Sequence, residues 1–120
     1  MAEARVLDPS VLERLRQLTP PGEPDVLTEV LQMFLREVPP RIDRLRIAWT
    51  SGNIQEVHRA AHSLKGSAGN IGAQRLLAVC RQLDDGVAGA DAAAIATLVS
   101  ALDVEFGKVE EEIQRLLKDA

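Results

Sequence analysis

The chain has 120 residues, 46% of them apolar and 27% charged, with a formal net charge of −4, which is too hydrophobic for a disordered chain and of a length for one domain over 1–120. An acidic chain with 2% aromatic side chains cannot readily hold phosphate backbones or stack bases, which excludes nucleic acid as a partner, and Cys80, its one cysteine, allows neither an internal disulfide nor a cysteine-rich zinc site. No apolar run approaches the ~20 residues of a membrane span and the N-terminus lacks a signal peptide's basic-then-apolar layout, so a cytoplasmic protein without direct membrane insertion is expected.

Abundant Leu and Ala favour helix over strand throughout. The first helix starts at Asp8-Pro9-Ser10, with Asp8 as N-cap and Pro9 where a missing N–H does no harm. Val11, Leu12, Leu15 and Leu18 recur at helical spacing until three prolines and Gly22 break the pattern over 19–24. Leu27, Val30, Leu31, Phe34, Val38, Ile42, Leu45 and Trp49 follow, and their phase passes through Pro39-Pro40 unbroken. One long kinked helix from about 25 to 50 is expected, with two collinear helices as the fallback. Ser51-Gly52-Asn53 ends it, and Asn53 with Glu56 forms a capping-box-like start to the third helix. That helix carries a core stripe of Ile54, Val57, Ala61, Leu64 and Ala68. The fourth, after Gly72, carries Leu76, Cys80, Leu83 and Val87 and ends in a turn at Asp85-Gly86-Val87-Ala88-Gly89. The fifth starts near Asp91 with Ile95, Leu98, Leu102, Phe106, Val109, Ile113 and Leu116. Four amphipathic helices joined by short loops pack most simply as an all-α, antiparallel up-down four-helix bundle, with the short N-terminal helix capping one end.

The third helix holds more than scaffold. At about 100° per residue, His62 falls beside the stripe centred on Ala61 rather than on it. Lys65, Gly66 and Gly69 share that flank, with His58 one turn before. Each glycine inside a helix costs ~1 kcal/mol relative to Ala. Two of them here either clear ground for another surface to approach the imidazole, or let a neighbouring helix pack closely, or mark a helix already ending at Gly69-Asn70. A phosphoryl group on an imidazole would bring roughly two negative charges, which a lysine one turn away attracts. The same lysine disfavours imidazolium and so favours the nucleophilic neutral ring.

The run Ala61-His62-Ser63-Leu64-Lys65-Gly66-Ser67-Ala68-Gly69-Asn70-Ile71-Gly72-Ala73 resembles the core motif of histidine-containing phosphotransfer (HPt) domains, and the likeness extends from Val6-Leu7-Asp8-Pro9 to the closing helix. The resemblance implies a phosphorelay carrier: His62 accepts a phosphoryl group, through Nε2, from a receiver-domain aspartate and passes it to another receiver. It implies that Lys65 holds the phosphoryl oxygens and that Gly66 and Gly69 give clearance, with Ser67 and Asn70 at small or polar motif positions. It implies no bound cofactor, the Mg²⁺ being supplied by the partner receiver. Partners would be receiver domains of response regulators or a hybrid sensor histidine kinase, and the protein a monomer, placed at a membrane's inner face if part of a larger kinase. The family often has Gln or Glu at the place of Asp84. Asp is shorter by a methylene, which leaves the orienting bond to His62 open, with Gln82 or Asp85 as substitutes. The docking surface is expected on the His62 flank and the fourth helix, including Gln74, Arg75 and Arg81.

Three rivals are weaker. His58 and His62 have the i, i+4 spacing of zinc ligands, but His-Arg-Ala-Ala-His lacks the peptidase glutamate and no third ligand is evident, so no metal is expected and His58 adds positive character instead. The glycine-rich run 66–72 has its lysine ahead of it and no strand before it, so it fits no nucleotide loop, and a carrier rather than an ATP-using kinase is expected. A non-catalytic bundle that docks receiver or kinase domains remains the alternative reading.

Overall fold

The computed structural model describes residues 5–86 and 91–119. They form α1 (Pro9–Gln17), α2 (Val26–Thr50), α3 (Ile54–Asn70), α4 (Gln74–Gly86) and α5 (Ala92–Lys118), with no strand among the described residues. α3 packs between α2 and α4, α4 against α5, and α5 back against α2, so the four long helices close a bundle while α1 lies on α2.

The caps fall where short polar side chains replace missing backbone partners. Asp8 accepts from the Ser10 N–H at 2.9 Å, and Asn53 accepts from the Glu56 N–H at 3.1 Å. Leu18, expected on the α1 stripe, is instead the C-cap and 66% exposed, because the helical phase has ended there. α2 runs unbroken through Pro39 and Pro40. An interior proline costs about 3 kcal/mol, yet Phe34, Val38, Ile42 and Leu45 are buried on both sides of the pair, and that packing holds the helix together.

The α3 stripe comprises Val57, Ala60, Ala61, Leu64 and Ala68. Ile54 has the right angular phase but stands at the helix's first position and is 39% exposed, whereas Ala60 is covered because α3 has neighbours on two sides. On α5, Val99 is buried between Ile95 and Leu102, and Leu98 lies only partly covered. α4 remains helical through Asp85 and Gly86, so the turn expected at Asp85 does not begin there; Val87, Ala88 and Gly89 lie outside the described residues. The buried face of α4 is Leu76, Val79, Cys80, Leu83 and Asp84.

One glycine is required by the packing itself. Gly72, in the α3–α4 turn, has φ +68°, and a Cβ there would lie 2.9 Å from Asp8 Cβ and 3.0 Å from Val11 Cβ. Its carbonyl accepts from the Asp8 N–H at 2.9 Å, and Gln74 Nε2 donates to Asp8 Oδ2 at 3.1 Å, so the N-terminal segment is seated on the corner of the α3–α4 hairpin.

Candidate functional site

The hairpin brings α3's His62 flank against the C-terminal half of α4, where Asp84 faces inward with its side chain only 6% exposed. Burying a carboxylate is costly unless it is paired and hydrogen-bonded. Two donors on α3 reach this one, and a third group stands beside it. Lys65 Nζ donates to Oδ2 at 2.6 Å, and His62 Nδ1 lies 3.2 Å from the same oxygen. His58 Nδ1 donates to the Asp84 carbonyl at 2.9 Å and stands 3.2 Å from Oδ1, an oxygen that is buried with no hydrogen-bond partner.

The hydrogen bond from Lys65 holds the Asp84 carboxyl below its ordinary 3.8 against the opposing effect of burial, and the bond from His62 lowers it further. Asp84 is therefore an ionised acceptor at neutral pH, which places a His62 proton on Nδ1 and, in the neutral tautomer this selects, leaves the lone pair on Nε2. The His62 side chain is 70% exposed. The result is an oriented imidazole that faces solvent.

The orienting contact left open by the short aspartate is thus made by Asp84 itself; Gln82 and Asp85 are exposed. Lys65, read from the sequence as a phosphoryl-holding cation, is engaged by Asp84 in this state. A Cβ built at Gly66 or Gly69 meets nothing within 4 Å, so neither glycine serves the approach of a neighbouring helix. α3 ends at Asn70, so the reading of a helix end at Gly69-Asn70 holds for Gly69, while Gly66 lies inside the helix.

The remaining candidates divide. Arg81 is exposed on α4, one turn before Asp84. Ser67 turns to α2, where its Oγ accepts from Arg41 Nη1 at 2.9 Å, and Asn70 borders a groove with Met33 and Glu37 on that same side. Gln74 is tied to Asp8, and Arg75 pairs with Glu105 of α5 at 3.0 Å, about 13 Å along α4 from Asp84 at 1.5 Å per residue. These two hold the fold at the far end of the hairpin. Arg41 was not legible as a site neighbour: it follows two prolines and its partner lies on another helix. Among the described residues no group of three or more His, Cys, Asp or Glu is placed to hold a metal, and burial pushes the Cys80 thiol up to about 12.

Residues 29–119 match the family model described as "Hpt domain". The chain belongs to the Hpt family. Its members are histidine-containing phosphotransfer domains of two-component relays, and this Hpt chain is 25% identical over 103 residues to histidine-containing phosphotransfer protein 2 of Arabidopsis thaliana. That match covers 83% of this chain and 66% of the plant protein, just under two thirds of its length. The fold is also that of HptB from Pseudomonas aeruginosa, with a TM-score of 0.88 and 24% identity over 98% of this chain and 99% of that one. A phosphotransfer protein from Medicago truncatula gives a TM-score of 0.83 at 23% identity, covering 94% of this Hpt chain and 78% of that chain. A putative one from rice gives 0.81 at 21% identity, covering 94% and 80%. In all of these the likeness is of the helical bundle as a whole. No helix among the described residues is long and apolar enough to cross a membrane.

Proposed function

We propose that this Hpt domain carries a phosphoryl group on His62 Nε2 between receiver domains of response regulators or of a hybrid sensor kinase. The observation that carries the reading is the exposed imidazole whose Nδ1–H is held by a buried, ionised carboxylate. The Nε2 lone pair attacks the phosphorus of the donor's aspartyl phosphate. The N–P bond forms, the P–O bond to the aspartyl carboxyl breaks, and the donor leaves as a carboxylate with the bonding electrons. Keeping its Nδ1 proton, the ring becomes positively charged, and Asp84 supplies the opposite charge 3.2 Å away. Lys65, one turn from His62, offers its remaining ammonium protons to the phosphoryl oxygens. The open strip at Gly66 and Gly69 admits the receiver's surface, and Arg81 lies on the adjoining face of α4. The Mg²⁺ such transfers need is held by the receiver and would neutralise phosphoryl charge from that side. In this reading the protein works as a monomer and as a carrier rather than as an ATP-using kinase.

The test is incubation with a phosphorylated receiver domain, followed by assay for acid-labile, base-stable phosphate. Wild type should take up label and His62→Gln none; label retained by the variant would overturn the assignment.

A further inference from the structure

His58 lies one helical turn before His62 and faces the same carboxylate from its other side. A carbonyl oxygen only accepts, so the 2.9 Å contact to the Asp84 carbonyl places a proton on His58 Nδ1 whether the ring is neutral or charged. The side chain is 58% exposed, so Nε2 can gain or lose a second proton without disturbing that contact. Beside it sits Asp84 Oδ1, buried and without a hydrogen-bond partner, 3.2 Å from Nδ1. Such an oxygen calls for an explanation, and an adjacent group able to become cationic supplies one.

In the unphosphorylated site, Lys65 and Asp84 balance each other. A phosphoryl group adds about two negative charges near neutral pH. The ring offsets one of them while it keeps its Nδ1 proton, so the site becomes more negative by one charge, or by two if that proton leaves. Lys65 must then be shared between Asp84 and the phosphoryl oxygens. We propose that His58 is the titratable counter-charge of the phosphoryl site, taking a proton from solvent onto Nε2 when His62 is phosphorylated and returning it when the phosphoryl group departs. The inference rests on His62 being the acceptor. No bond to phosphorus is made or broken in this step, and His58 acts through Asp84 as a positioning residue.

The other charged groups near His58 do not take this role. On α3, Arg59 is paired with Glu56 on the side facing α2, and Lys65 is bound to Asp84. On α4, Asp84 is in contact, and Arg81 and Asp85 are exposed nearby. Val87-Ala88-Gly89-Ala90, beyond α4, carry no titratable side chain. Among these neighbours of His62, His58 alone carries an imidazole, the side chain suited to taking up and releasing a proton near neutral pH. By linkage, if phosphorylation favours the protonated ring, falling pH favours the phosphorylated protein.

The chain has two histidines, so both imidazoles can be followed individually by NMR. Wild-type protein is titrated before and after phosphorylation with phosphoramidate, with ³¹P signals confirming the phosphohistidine. The His58 midpoint should rise by about half a unit or more, the effect of one or two added charges about one helical turn away. A midpoint that stays or falls overturns the proposal. Absence of a phosphohistidine signal at His62 overturns the acceptor assignment itself, and is told apart by ³¹P. His58→Asn keeps a donor at the Nδ1 position without a titratable ring. It should still take up the phosphoryl group, but the pH dependence of the ³¹P shift should lose the inflection at the His58 midpoint; an inflection that survives there also overturns the proposal.

Discussion

α3 makes polar contacts with a neighbour on each flank, and the two seams behave differently. Toward α2, Arg41 donates to Ser67 across the seam, while Arg41 also pairs with Glu37 inside α2 and Arg59 with Glu56 inside α3, all partly or largely exposed. Toward α4, one carboxylate is almost fully covered and is met by Lys65 and both imidazoles. Exposed pairs are screened by water and contribute little, typically under about 1 kcal/mol each. The covered pair fixes a protonation state, and a fixed protonation state is what orients a nucleophile. The same helix therefore has a seam that joins and a seam that can react.

The sharpest way to break this contrast is at Asp84. Asp84→Ala should slow phosphorylation of His62 by about ten- to a hundred-fold, as loss of an orienting partner does at other histidine sites. The reading is the initial rate of phosphohistidine formation from a receiver donor. The carboxyl is also held below its ordinary value in the folded protein, so it stabilises the fold above about pH 3.8, and that contribution is lost as pH falls through the lowered value. Melts of wild type and Asp84→Asn should therefore converge in strong acid and separate above pH 4.

A smaller effect is expected along the open strip. Gly66→Leu or Gly69→Leu should reduce transfer from a receiver several-fold while leaving phosphorylation by phosphoramidate nearly unchanged, because only the larger donor needs the clearance. Equal losses with both donors would show that the glycines serve the helix. Gly66→Ala, with nothing within 4 Å of its new Cβ, should raise stability by up to about 1 kcal/mol.

The smallest effect belongs to the α2 seam. Ser67→Ala removes the Arg41 bond and should lower stability by about 1 kcal/mol or less, with the rate of His62 phosphorylation unchanged. A marked loss of rate would mean that the two flanks are coupled through α3.

Much of this architecture was legible in the residues because it depends on period. The unbroken phase across Pro39-Pro40 forecast a continuous α2, and the helical wheel placed His62 and Lys65 on one accessible flank of α3. Asp84 was legible only in part. A stripe through Leu76, Cys80 and Leu83 places the next position at the edge of the buried face, but residue type argues that an aspartate there points outward. It turns inward because its compensating donors arrive from another helix, 19 to 26 residues earlier in the chain, and a local pattern carries no such information. Ser67 shows the reverse: a motif position suggested the reactive flank, and an arginine 26 residues earlier claims it for the other.

The bare turn at Gly72 has a wider consequence. Because Asp8 and Val11 occupy the space a side chain would fill there, the segment that starts α1 grips the bend joining α3 and α4, much as a finger steadies the hinge of a pair of tongs. His62, midway along α3, and Asp84, near the end of α4, lie farther along the two arms. Anything that loosens the grip, whether a bulkier residue at the bend or a shift of the leading segment, is transmitted along two rigid rods to a gap of 3.2 Å. The aim of the imidazole is in that sense set at the bend, about 15 Å away along α3.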